Sequence, residues 1–130
     1  SQEADRAATS REVVQSLPTP EVGRLRDALQ RLARSPDSVE ALVEAGQASL
    51  GVSDLEAALG FFGRALELSP QSAGAKLGMA SVYLRSRRPL DALTMYAEAE
   101  QAGAATDAFL ADLGLVQDLV GKNDLAQQSY

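Results

Sequence analysis

Residues 35–68 read SPDSVEALVEAGQASLGVSDLEAALGFFGRALEL, and residues 69–102 read SPQSAGAKLGMASVYLRSRRPLDALTMYAEAEQA. Each string is 34 residues long, and each opens on a Ser-Pro pair, Ser35-Pro36 and Ser69-Pro70. Self-similarity at a fixed period of this size marks a repeat architecture, in which one supersecondary unit stacks on the next. With Val39 as the first position of a unit, the next units begin at Ala73 and Asp107, and the columns agree. The eighth position holds Gly46, Ala80 and Gly114; the twentieth holds Ala58, Ala92 and Ala126. The twenty-fourth holds Phe62, Tyr96 and Tyr130, and the twenty-seventh Ala65 and Ala99. Two helices whose axes approach to about 8–10 Å need small side chains where they cross. A mid-helix glycine costs on the order of 1 kcal/mol against alanine, so Gly46 and Gly114 predict a close approach that offsets that cost. The aromatic column then fills the space between one helix pair and the next.

Small, small, aromatic, small at fixed phase resembles the tetratricopeptide repeat family, over residues 39–130. The resemblance implies an all-α fold of antiparallel helix-turn-helix repeats stacked into a right-handed superhelix. This sequence departs from the family pattern at three places. The eleventh position, commonly a large aromatic, holds Ser49, Tyr83 and Gln117; the thirty-second, commonly proline, holds Pro70 and then Ala104. The fourth position of the second unit is Lys76, where the other units have Leu42 and Leu110.

Caps and breakers place helices at about 38–50, 54–68, 72–86, 89–102, 107–120 and 124–130. Asp37 with Glu40, and Ser53 with Glu56, read as capping boxes. Pro89 suits a first helical turn, and Gly51, Gly103 and Gly121 suit left-handed positions after helix ends. Residues 21–34 form one more amphipathic helix, with Leu25, Ala28, Leu29 and Leu32 on one face. It caps the first repeat, or is the second helix of a degenerate unit. The chain thus divides into residues 1–17, a tail or loose helix anchored only by Val13, Val14 and Leu17, and a repeat domain over 18–130. Within the domain, 20–35 is the capping helix, 39–72 and 73–106 are full repeats, and 107–130 is a truncated third. An opening at Ser1 rather than Met, and a stop at Tyr130 inside a helix, read as the ends of a trimmed piece of a longer protein.

The composition excludes much chemistry. The 130 residues are 45% hydrophobic, mostly Ala and Leu, which favours helices. With no Cys and no His, disulfides, common zinc sites and Ser-His or Cys-His nucleophile pairs are all excluded. A net charge of −6 without a basic stripe argues against nucleic acid as a partner. No stretch approaches the roughly 18 apolar residues of a membrane span. The carboxylates offer no general acid/base pair. Glu98 and Glu100 are two apart and do not share a face, Glu40 and Glu44 read as a solvated edge, and Asp107 and Asp112 complement a helix dipole. Neither a phosphate loop nor a calcium loop occurs, so the chain predicts no cofactor, no metal and no enzyme.

The resemblance implies a partner-binding role, with the first helix of each unit lining a concave groove. Carried over by position, the groove residues are Val43, Gln47 and Leu50 in the first unit, then Leu77, Ser81, Leu84 and Arg85 in the second, then Leu115 in the third. The implied occupant is a protein or peptide presenting an apolar helix face or an extended strand. The same leucines also read as core residues of a slightly shifted register. Family members that hold a chaperone's C-terminal carboxylate use basic and amide side chains where this chain has Val43, Gln47, Gly78, Ala108 and Asp112, so that role is not expected. Arg85, Arg87 and Arg88 form a short basic cluster that either is solvated or meets an acidic segment. Two further readings stand beside the scaffold: self-association through repeat ends or groove, and an accessory arm of an enzyme lying beyond Tyr130. Ten arginines against two lysines suggest a GC-rich bacterium. A loose resemblance to envelope assembly factors of pilus or secretion machinery then favours the periplasm or cell envelope over the cytoplasm.

Overall fold

The computed structural model describes residues 19–104 together with Gly114, Asp118 and residues 120–122. Five helices follow one another: α1 (Pro20–Arg34), α2 (Val39–Gly51), α3 (Leu55–Leu68), α4 (Ala73–Arg85) and α5 (Pro89–Gln101). The connections are three or four residues long, which makes consecutive helices antiparallel neighbours. Each helix packs on the one before and the one after, and α2 also touches α4 directly. Among the described residues there is no strand.

The two Ser-Pro-x-Ser segments form the same turn. Ser35, at φ −137° and ψ 72°, and Ser69, at φ −142° and ψ 90°, both leave the helical region, which the proline after each disfavours. The N–H of Ser38 donates to Ser35 O at 3.1 Å, and that of Ser72 to Ser69 O at 3.0 Å. The hydroxyls of Ser38 and Ser72 then accept from the N–H of Ala41 and Ala75, each at 3.2 Å, and cap α2 and α4. The capping residue of α2 is therefore Ser38 rather than Asp37. Likewise α3 is capped by Asp54, which accepts from Ala57 N–H at 3.1 Å, rather than by Ser53.

Ser53 is displaced from that role because it ends the preceding helix. Its φ is +60°, and Arg87, one repeat later, has φ +59°. Around Ser53, Asp54 N–H donates to Ser49 O at 2.9 Å and Ser53 N–H to Leu50 O at 2.9 Å. Around Arg87, Arg88 N–H donates to Tyr83 O at 2.8 Å and Arg87 N–H to Leu84 O at 3.2 Å. These are Schellman closures, and a third is built on Gly103 at φ +101°. Gly103 thus fills the left-handed place expected of it. Gly51 is the last residue of α2 instead, and Gly121 has helical backbone. Left-handed backbone costs an L-residue roughly 1–2 kcal/mol. Ser53→Gly and Arg87→Gly are each expected to stabilise the chain by about 0.5–1 kcal/mol, after the added unfolded-state entropy of glycine is counted. Urea unfolding of each variant, with an unchanged slope and a raised midpoint, checks this.

The core is built of alanines around two aromatics. Ala45, Ala58, Ala65, Ala75, Ala80, Ala92 and Ala99 are fully buried, as are Phe62 and, nearly, Tyr96. A Cβ on Gly46 would lie 2.5 Å from the Phe62 ring, and one on Gly78 would lie 2.3 Å from it. Phe62 therefore sits against the bare backbones of α2 and α4 at once. The expected close approach holds at Gly46; at Gly114, which is exposed, a Cβ meets nothing among the described residues. The departures from the family pattern also find places. Ser49 is buried and satisfies its hydroxyl by donating to Ala45 O at 2.8 Å, while the Tyr83 ring carries the Arg88 guanidinium 4.9 Å from its centroid.

Lys76 replaces the leucine of the other units and is also buried, its side chain only 10% exposed. Its Nζ lies 3.9 Å from Glu98 Oε1 on α5. A buried charge is costly when its partner is removed, whereas an apolar replacement of similar size is often neutral or stabilising. Lys76→Met is expected to leave the chain at least as stable, and Glu98→Ala to lower its stability by about 1 kcal/mol or more. Thermal unfolding of the two variants side by side checks both signs.

Candidate partner-binding face

The first helices of the two described pairs, α2 and α4, lie side by side with α3 and α5 packed against them. The contact between α2 and α4 passes through Val43 and Gly74, where an added Cβ would meet Val43 Cγ1 at 3.3 Å. Glycine at residue 74 lets the two helices approach so closely. Seven of the eight residues expected to line a groove fall on α2 and α4; Leu115 lies outside the described residues.

Those seven divide into two kinds. Val43, Leu50, Leu77 and Leu84 are half-buried and packed on core residues. Val43 and Leu50 pack on the cluster of Ala58, Phe62 and Val82, and Leu77 and Leu84 on that of Ala80, Ala92 and Tyr96. They are structural supports of the face that also keep part of their surface outward. Gln47 and Arg85 are exposed, and Ser81 is half-buried. Arg85 also bridges helices, because its guanidinium donates to Leu50 O at 2.8 Å. That carbonyl belongs to the last turn of α2, which has no basic residue of its own. Arg88, by contrast, is held locally by Asp91 at 2.7 Å.

A cleft of about 310 Å³ opens beside this face, between α1 and α2. Arg24, Asp27 and Arg31 of α1 line one side, with Glu44, Gln47 and Ala48 of α2 on the other. Arg31 grips Glu44 through two nitrogens, a fork-on-carboxylate geometry. The hydrogen bond and charge of Glu44 hold the Arg31 guanidinium above its ordinary pKa. Sequence reasoning missed this cleft. Arg31 and Glu44 are thirteen residues apart across a loop, and no local pattern joins them.

The chain matches known proteins by shape. Crystal structures of the MamA protein superpose with TM-scores of 0.66 and 0.65, at 20% and 19% identity. They cover 80% and 82% of this chain, and 57% and 68% of theirs. YrrB, described as a tetratricopeptide-repeat protein with an unusual peptide-binding site, superposes with a TM-score of 0.69 at 25% identity. The chain has the tetratricopeptide-repeat fold. The match to YrrB covers 76% of this chain and 51% of that one, so the chain spans about half the length of that relative. No family model and no curated protein matches the sequence. Tetratricopeptide-repeat folds of this kind generally serve as protein-interaction scaffolds without catalysis. Among the described residues, no three acidic, His or Cys side chains group as a metal site, and no helix is long and apolar enough to cross a membrane.

Proposed function

We propose that this chain is a protein-binding scaffold that holds a peptide or helix of a partner along α2 and α4. The observation that carries the reading is the composition of that face. Gln47, Ser81 and Arg85 are outward or half-outward, while Leu50, Leu77 and Leu84 are half-buried between them. The leucines leave apolar surface for a partner's side chains, and the three polar residues supply hydrogen bonds at fixed places. YrrB supports the reading as a relative by shape with a peptide-binding site. The bias to arginine over lysine supports a bacterial source, and a role in assembling envelope, pilus or secretion complexes fits that source.

The test uses substitutions that leave the core intact. Aspartate at Leu77 or Leu84 would strike residues packed on Tyr96 and is unsuitable. Gln47→Arg and Ser81→Arg instead add bulk and charge to the face itself. The natural chain and the double variant, matched by circular dichroism, are used to capture partners from a lysate of the source cells. A protein retained by the first and lost by the second, then shown by titration to bind through one short segment, is the expected result. Equal capture by both chains would move the binding function off this face.

A further inference from the structure

Arg85 ends α4 and lies one helical turn beyond Ser81, on the same side of the helix. Its side chain crosses to α2, where Nη1 donates to Leu50 O at 2.8 Å. The guanidinium is thus fixed between the C-terminal ends of the two helices that form the face, and it stays exposed. The carbonyl engages one of its donors without neutralising its charge. Arg24, Arg31, Arg64 and Arg88 each meet a carboxylate, whereas Arg85 meets none among the described residues. Arg26, Arg34 and Arg87 also meet none there, but no described bond ties them to a second helix. The sequence around Arg85 explains the gap. Helix α4 contains no acidic residue, and neither does the last turn of α2. Asp54, just past α2, is engaged in capping α3, and Glu44, nearly two turns before Leu50, is engaged by Arg31.

We propose that Arg85 is the carboxylate-binding point of the α2 and α4 face, and that it receives an acidic side chain of the partner peptide. The inference rests on the reading of that face as the binding surface, and it names the chemistry of the occupant. With Nη1 on Leu50 O, Nε and Nη2 remain as a side-on fork for the two oxygens of a carboxylate. The side chain is held before the partner arrives, so engagement loses little rotamer freedom. Leu50 and Leu84, both half-buried, flank the guanidinium and leave apolar surface beside it. A peptide that pairs an acidic residue with apolar neighbours fits this arrangement, and a bound apolar neighbour would exclude water from the ion pair and strengthen it. The net charge of −6 makes the proposal discriminating. The field of the whole chain favours basic peptides, so a preference for an acidic residue can come only from a local site.

The test selects random peptides, displayed with a fused C-terminus so that only Asp and Glu supply carboxylates. Selection is run on the natural chain, on Arg85→Gln and on Arg85→Glu, with folding checked by circular dichroism. Arg85→Gln keeps a donor for Leu50 O and removes the charge, so it remains informative even where Arg85→Glu fails to fold. The expected result is enrichment of Asp or Glu beside apolar residues on the natural chain, loss of that preference on Arg85→Gln, and Lys or Arg in the same place on Arg85→Glu. A synthetic peptide of the enriched sequence should bind Arg85→Gln about tenfold more weakly by fluorescence anisotropy. A guanidinium that only caps α2 would change stability and leave the charge preference of the peptides where it was. Peptides that are lost on Gln47→Arg with Ser81→Arg, but show no acidic preference or keep it on Arg85→Gln, would overturn the assignment of Arg85 and leave the face as the binding surface. Peptides indifferent to the Gln47 and Ser81 substitutions, or no enrichment at all, would overturn both readings.

Discussion

Phe62→Ala is expected to destabilise the chain by about 3–5 kcal/mol, the range for removing a fully buried phenylalanine. The site supports the upper half of that range. Phe62 is 0% exposed, and its ring meets the backbones of two helices at Gly46 and Gly78. Neither glycine has a side chain that can swing into the void, so the cavity cannot collapse without moving α2 or α4. The same ring belongs to the cluster with Ala58 and Val82, and Leu50 and Leu55 pack against it. Removal therefore loosens both the α2–α3 pair and its contact with α4. Urea unfolding followed by far-ultraviolet circular dichroism measures the loss. A change below about 1 kcal/mol would mean that Phe62 does not join the two units.

The second large effect is a change of sign. Glycine to alanine inside a helix normally stabilises by about 1 kcal/mol. At Gly78 the opposite is expected, a loss of about 1–3 kcal/mol, because the new methyl would sit 2.3 Å from the Phe62 ring and force it or α4 to shift. Gly60, where a Cβ meets nothing within 4 Å, is the internal control and should show the normal gain. In a Phe62→Ala background, Gly78→Ala should revert to stabilising, since the obstructing ring is gone and the methyl fills part of the void. The double-mutant cycle measures this coupling, and the difference between backgrounds should exceed about 1 kcal/mol. Equal effects in both backgrounds would show that the ring and the glycine are not in contact.

Much of this was legible from spacing alone. The 34-residue period and its small and aromatic columns identified the helices, and Pro20–Arg34 through Pro89–Gln101 lie within a residue or two of their expected bounds. That was possible because proline, capping residues and apolar periodicity act locally. The candidate face was only partly legible. Position within the repeat put Val43, Leu50, Leu77 and Leu84 on the first helices, but it did not say how far each is sunk into the core. That depth depends on the Phe62 and Tyr96 rings, which come from other helices.

The caps illustrate the same division. Ser38 and Asp54 each sit one residue after the expected cap, because the Ser-Pro turn and the Schellman closure set where helical backbone begins. A capping-box pattern sees neighbours along the chain; it does not see which backbone carbonyls the previous helix has left open. By itself, then, the sequence determined that the chain is a helical repeat, where its helices fall and which positions must be small. Only the tertiary structure decided that Gly46 and Gly78 share one ring, that Lys76 is buried toward Glu98, and that Arg31 clasps Glu44. The first set follows from interactions within about one turn of helix, which a linear pattern records. The second follows from contacts between helices, where distance along the chain carries no information about distance in space.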